Sequence, residues 1–306
     1  MEFTTTDAFW YSAYHCVYED PAIRLLQFNA GEGTPLVIVP PQAGHHSYIA
    51  DFGKDQSLVQ CAVQYSGRPV YAIEWKSCTF ERRFETVSDL LTQLDTAVEQ
   101  VGGTASLVGL CQGGWLSVIY SILHQDKVTS LIIAGAPIDT HAGESVLESA
   151  IRMPLSLYRY MVALGGGLMR GEFMLMGWKS ANPHTHYVKR YTEPSPKTEA
   201  FYRWYDYTQN IAGWGWYLWA IEHLFKKNRL GRNELIVNDQ HIDLSQIKCP
   251  VSIVTGKTDE VTPSEQTLAL MRYTEAKAYQ INAGHVGVFM GRDGIEHIWP
   301  RLFINA

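Results

Sequence analysis

The chain has 306 residues, 46% of them apolar, and a formal charge of −6. That length buries a large core in one domain carrying an insertion, and the acidic balance without any basic run excludes nucleic acid as a partner class. Five cysteines (Cys16, Cys61, Cys78, Cys111, Cys249) are odd in number and form no C-x-x-C pair, which excludes a disulfide framework and a zinc-ribbon site and fits a reducing compartment.

The N-terminus, Met1-Glu2-Phe3-Thr4-Thr5-Thr6-Asp7, places acids where a secretory signal carries lysines, with no apolar run behind them, so a cytoplasmic location is expected. Residues 24–28 form a short β-like run that ends at Asn29-Ala30-Gly31, an antiparallel edge strand. Residues 35–41 are an apolar run bounded by prolines, which reads as a buried strand followed by a loop at 42–47. The pattern repeats at 68–75. Between 85 and 101, Val87, Leu90, Leu91, Leu94, Ala97, Val98 and Val101 recur at helical spacing on one face. A strand at 105–110, a helix at 113–124 and a strand at 128–136 continue the alternation, which predicts an α/β fold with a mostly parallel, doubly wound sheet. From 140 to 232 the alternation gives way to helical, Met-rich and aromatic-rich sequence. Strands resume at 250–254 and 278–281, and a last helix is expected over 294–303. The expected organisation is a core of 1–139 and 233–306 with an inserted helical cap at 140–232. The most apolar part of the insertion, 160–178, is interrupted by Arg170, Glu172 and four glycines from Gly165 to Gly171, so no transmembrane helix is expected.

The chemistry concentrates at Gly109-Leu110-Cys111-Gln112-Gly113. A strand that runs into a glycine-flanked cysteine and then into a helix has the form of a nucleophile elbow, and a thiol needs only a nearby base to become a nucleophile. Asp259, just past the 250–254 strand, is the expected orienting acid, with Asp139 after the preceding strand as its competitor. His285, between glycines after the last strand, is the expected general base. The oxyanion is expected to be held by the N–H of Gln112 and by one from the loop after 35–39, where Pro40 and Pro41 have none and Gln42 or Ala43 are the candidates. Ten aromatics fall between Phe201 and Phe225. Trp214, Trp216 and Trp219 among them are expected to line an acyl groove or polymer-contacting surface, against the plainer reading of a helical core.

These blocks resemble the polyhydroxyalkanoate synthase and intracellular depolymerase superfamily, which has the α/β-hydrolase fold. The resemblance rests on Gly109 to Gly113, Gly256-Lys257-Thr258-Asp259 and Gly284-His285-Val286-Gly287-Val288. Val39-Pro40-Pro41, Glu74-Trp75-Lys76 and residues 242–250 agree with it, so that it covers roughly 35–303. It implies a Cys111, Asp259, His285 triad acting on 3-hydroxyacyl esters, thioesters or polyester without a cofactor or metal, association with polymer granules, and leaves a homodimer open. Gly135-Ala136-Pro137-Ile138-Asp139-Thr140 and the region after His285 resemble the depolymerases, whereas Gln112-Gly113-Gly114 is closer to the synthases. On balance the resemblance implies hydrolysis. A synthase-type acyltransferase using 3-hydroxyacyl-CoA, or a catalytically inactive granule-binding protein, are the alternatives.

Overall fold

The computed structural model describes residues 10–42, 44–181, 188, 190–192 and 195–304. Residues 1–9, which include the stretch read for a secretory signal, lie outside these, as does Ala43. The first half of the chain places β1 (His15–Glu19), β2 (Ile23–Gln27), β3 (Leu36–Val39), α1 (Leu58–Ser66), β4 (Val70–Trp75), α2 (Val87–Gln100), β5 (Ala105–Leu110), α3 (Gln112–Leu123) and β6 (Val128–Ala134). Local sequence explains the helix starts. Ser57 caps α1 by accepting from the Gln60 N–H, and Thr86 with Asp89 closes a capping box on α2.

A mainly helical stretch follows: α4 (Glu148–Arg152), α5 (Leu155–Leu164), β7 (Leu168–Met169), α6 (Gly171–Ala181), α7 (Arg190–Thr192), α8 (Pro196–Asp206), β8 (Ile211–Ala212) and α9 (Leu218–Ala220), the last flanked by π-helical turns at Gly213–Tyr217 and Ile221–Lys226. Then come β9 (Ile236–Val237), β10 (Gln240–His241), β11 (Val251–Gly256), α10 (Ser264–Leu268), β12 (Ala276–Ile281), α11 (His285–Met290) and α12 (Trp299–Ile304). The two ends of this stretch are bonded to each other, in part through Thr140, whose hydroxyl donates to the Leu224 carbonyl (2.7 Å). Asn228 donates from Nδ2 to Asp139 Oδ1 (2.6 Å) and accepts the Thr140 N–H on Oδ1 (3.1 Å).

The main sheet has eight strands in the order β1-β2-β4-β3-β5-β6-β11-β12. Pairing is antiparallel at β1/β2 and β2/β4 and parallel elsewhere. β3 and β5 are buried at every position, because helices cover both faces, and strands in that setting read as continuous apolar runs. Each fully buried Leu, Ile or Val there contributes roughly 1.5–3 kcal/mol. One core cluster, with Leu94, Leu107 and Trp115, lies on the α2/α3 face. The other, with Val108, Leu110, Phe289, Trp299 and Phe303, lies on the α1, α11 and α12 face. The strand order reverses between β3 and β5, and the crevice at the carboxyl ends of these strands is where such sheets place their ligands.

Candidate active site

Cys111 stands between the last residue of β5 and the first of α3 at φ 49°, ψ −115°, a backbone region that non-glycine residues rarely occupy and that stores strain. The flanking glycines make the turn possible by close approach. A Cβ on Gly109 would lie 2.6 Å from the Gly113 carbonyl oxygen, and one on Gly113 only 1.9 Å from that of Val39. The Cys111 N–H donates to the Ala134 carbonyl at 2.8 Å, which pins the turn to β6.

His285 opens α11 after the Gly284 N-cap. Its Nδ1 lies 2.8 Å from Asp259 Oδ2, and the Asp259 side chain is fully buried. The other carboxylate oxygen, Oδ1, accepts the N–H groups of Val261 (2.9 Å) and Thr262 (2.7 Å). One oxygen therefore closes its own turn while the other orients the imidazole. Phe289 meets the ring edge-on at 5.2 Å, and a Cβ on Gly135 would come 3.4 Å from its Cε1. With Nδ1 facing the carboxylate, Nε2 is the ring nitrogen left for the neighbouring Cys111 sulfur. Burial acts to lower the imidazole pKa. The neighbouring Cys111 sulfur and the Asp259 carboxylate outweigh it and raise the pKa from 6.5 to about 10.

Asp139 is committed elsewhere. It accepts from Asn228 and from the His141 N–H and pairs with the Arg272 guanidinium. Burial pushes its carboxyl up, but Arg272 and Asn228 more than offset this and hold it below its ordinary value. Asp259 thus reaches His285, whereas Asp139 bonds to Asn228, His141 and Arg272.

The expected oxyanion donors fare differently. Gln112 is the first residue of α3, where an N–H has no acceptor within the helix. The Gln42 N–H, however, donates to Gln112 Oε1 at 2.9 Å. In this structure the Gln42 N–H is thus occupied, and turning it toward an acyl oxygen would strip a buried amide of its partner. Ala43, the other candidate, lies outside the described residues. The tether itself was missed from the sequence: the Gln112 side chain ties the loop after β3 to the elbow.

The three tryptophans are not gathered around Cys111. Trp216 is 3% exposed and belongs to the α2/α3-face cluster. Trp219 packs on Trp115 with ring centroids 6.3 Å apart, and Trp214 is 41% exposed. Cys111 borders the other cluster, to which α6 and α8 contribute Leu175, Trp178, Phe201, Trp204 and Tyr205. The Trp204 indole N–H donates to the His46 carbonyl (3.1 Å) and the Gln209 N–H to that of Gly44 (2.8 Å), so these residues are bonded directly to the loop after β3. Among the described residues no group of three His, Cys, Asp or Glu side chains is placed to hold a metal ion, and no helix is long and apolar enough to cross a membrane.

Known proteins agree with this construction. A family model described as a protein of unknown function, DUF3141, matches residues 27–303. The chain is 24% identical over 317 residues to the "Poly(3-hydroxyalkanoate) polymerase subunit PhaC" of Haloarcula marismortui, covering 94% of this chain and 66% of that protein. It is 27% identical over 312 residues to the protein of the same name from Haloferax mediterranei, covering 94% and 62%. The chain thus spans less than two thirds of the length of these relatives. Among solved structures, a bromoperoxidase from Bacillus anthracis superposes with a TM-score of 0.61 at 17% identity, covering 96% of this chain and 99% of that one, a likeness of fold. The family model, which spans nearly the whole chain, shows that the chain belongs to the DUF3141 family, with an α/β-hydrolase fold and a sequence similar to that of poly(3-hydroxyalkanoate) polymerases.

Proposed function

We propose that this protein is a cysteine acyltransferase of the polyhydroxyalkanoate synthase type. The observation that carries the proposal is the strained Cys111 elbow at the carboxyl end of β5, beside a His285 whose Nδ1 is bonded to the buried Asp259 carboxylate at 2.8 Å. The polymerase names of the relatives weigh for transfer over the hydrolysis that sequence resemblance favoured. In the first half-reaction His285 Nε2 takes the Cys111 proton, and the sulfur attacks the thioester carbonyl of a 3-hydroxyacyl-CoA. The oxyanion is stabilised by the Gln112 N–H. The intermediate collapses to acyl-Cys111, and the CoA sulfur leaves with the proton from His285. In the second, His285 removes the proton of an incoming 3-hydroxyl group, whose oxygen attacks the acyl-cysteine. An ester forms and the Cys111 sulfur is released. Residues 140–232 act as a cap in this reading, with α6 and α8 forming the apolar wall for the acyl chain and excluding water, which would otherwise divert the intermediate to hydrolysis.

Incubation of the purified protein with 3-hydroxybutyryl-CoA tests the proposal. Free CoA together with insoluble polyester is the expected result. Free CoA with soluble 3-hydroxybutyrate alone would assign a hydrolase, and no CoA release with no acyl group on Cys111 would assign a non-catalytic binding protein.

The tether supplies a second expectation. Gln112→Ala keeps the oxyanion N–H but frees the loop after β3, so kcat should fall about tenfold with KM little changed. Steady-state kinetics on the folded variant check this. An unchanged kcat would mean that the loop holds its position without the side chain.

A further inference from the structure

Helix α5 turns an apolar stripe to the outside. Leu157, Tyr160 and Leu164, three and four residues apart and therefore on one face, are 39%, 61% and 61% exposed. The stripe continues across the glycines that follow the helix to the loop after β4. A Cβ on Gly166 would lie 3.6 Å from the Phe80 ring, and one on Gly167 would lie 2.6 Å from Trp214 and 2.7 Å from Arg83. Phe80 and Phe84 are 54% and 58% exposed, with the Arg83 guanidinium 3.7 and 4.5 Å from their ring centroids. Together these side chains form a bare apolar patch larger than the singly scattered residues normal for a surface, and such patches mark interaction sites.

Charge selects the partner. In a chain of net charge −6, residues 149–171 contain no Asp or Glu but do contain Arg152, Arg159 and Arg170. The acids of the bordering segments are Glu148, paired with Arg152, Glu222, paired with Lys227 and influenced by Arg159, Glu81, influenced by Arg83, Glu85, paired with Arg82, and Glu172, two residues after Arg170. Exposed Leu, Phe, Tyr and Trp bordered by arginines match an interface that is apolar beneath an anionic surface. A twofold pairing of α5 with itself would bring together two helices that each carry Arg159 and no acid. An uncharged polyester surface would engage the stripe but give the arginines nothing to bind.

We infer that the α5 face, with Phe80, Arg83, Phe84 and Trp214, docks on an anionic lipid interface. The inference is independent of the reaction at Cys111. It is tested by sedimenting the full chain with phosphatidylcholine vesicles with and without phosphatidylglycerol. Binding is expected to the phosphatidylglycerol vesicles only and to weaken with salt. Arg83→Gln and Arg159→Gln should each weaken it about fivefold, the effect of roughly 1 kcal/mol per basic residue at such a surface. Tyr160→Ser with Leu164→Ser should weaken it at least as much. All of these positions are exposed or near the surface, so thermal stability and the rate of Cys111 alkylation should not change. No binding to phosphatidylglycerol vesicles overturns the inference. So does binding to neutral vesicles or polyester particles that is indifferent to the arginines, or a stripe variant that alters only self-association in sedimentation velocity.

Discussion

Cys111→Ala is expected to abolish acyl transfer, a loss of about 10⁴-fold or more, as for removal of other triad nucleophiles. Single replacement of Cys16, Cys61, Cys78 or Cys249 should leave the chemistry in place. The distinction follows from environment. Burial pushes the Cys61 and Cys78 thiols up from 9.0 to about 12 and raises Cys249 as well, which keeps all three in the inert thiol form. Cys111 instead stands on a strained strand-to-helix turn beside His285, which is itself held by a buried carboxylate. Cys111→Ser should retain slight turnover, because the elbow presents either atom but His285 must then take a proton from a much weaker acid. Mass spectrometry of the protein after a short exposure to 3-hydroxybutyryl-CoA provides the direct check. The acyl adduct should appear on wild type and on the four other cysteine variants and be missing from Cys111→Ala. An adduct or turnover that survives in Cys111→Ala would move the nucleophile elsewhere.

The parts of this site that were legible in the sequence are those with a local cause. The elbow can be read because glycine is demanded at 109 and 113 by backbone contacts within a few residues or with the adjacent strand. Asp259 and His285 can be read because each directly follows a strand of the sheet, at β11 and β12. What escaped has a cause in tertiary packing or in weak local pattern. β1 is an edge strand that is only partly buried along its length, so its sequence shows no clean alternation. α1 is nine residues long, too short for its helical period to stand out between two strands, although Ser57 offered a cap. The bond between Gln112 and Gln42 joins residues 70 positions apart, and no local pattern announces it. The aromatic run shows the same limit: density was visible, direction was not. Within Gly213–Tyr217 the helix is broken at Gly215 (φ −88°, ψ −114°), so Trp214 turns to solvent while Trp216 enters the core. Trp204, eight residues into an uninterrupted helix earlier in the same run, instead reaches the loop after β3.

Asp259→Asn is expected to lower turnover about 10⁴-fold with the fold intact, the size of the effect when another triad loses its orienting carboxylate. The asparagine carbonyl can still accept the Val261 and Thr262 N–H groups that now bond to Oδ1, so the turn should survive. What disappears is the negative charge facing His285 Nδ1. Asp139→Asn should act the other way round. Its carboxylate pairs with Arg272 and Asn228, so its loss should cost about 1–3 kcal/mol of stability and leave most of the turnover. The pH dependence separates charge from shape. His285 is raised from 6.5 to about 10, so the stabilisation it supplies is fully present below 6.5 and is lost as the pH rises through about 10. Asp259→Asn removes part of what raises it, so the His285 midpoint, followed by NMR of its ring protons, should fall in the variant. The difference in Tm between wild type and Asp259→Asn should be widest below 6.5 and close as the pH passes about 10. An unmoved His285 midpoint, or a larger loss of turnover in Asp139→Asn than in Asp259→Asn, would take Asp259 out of the triad.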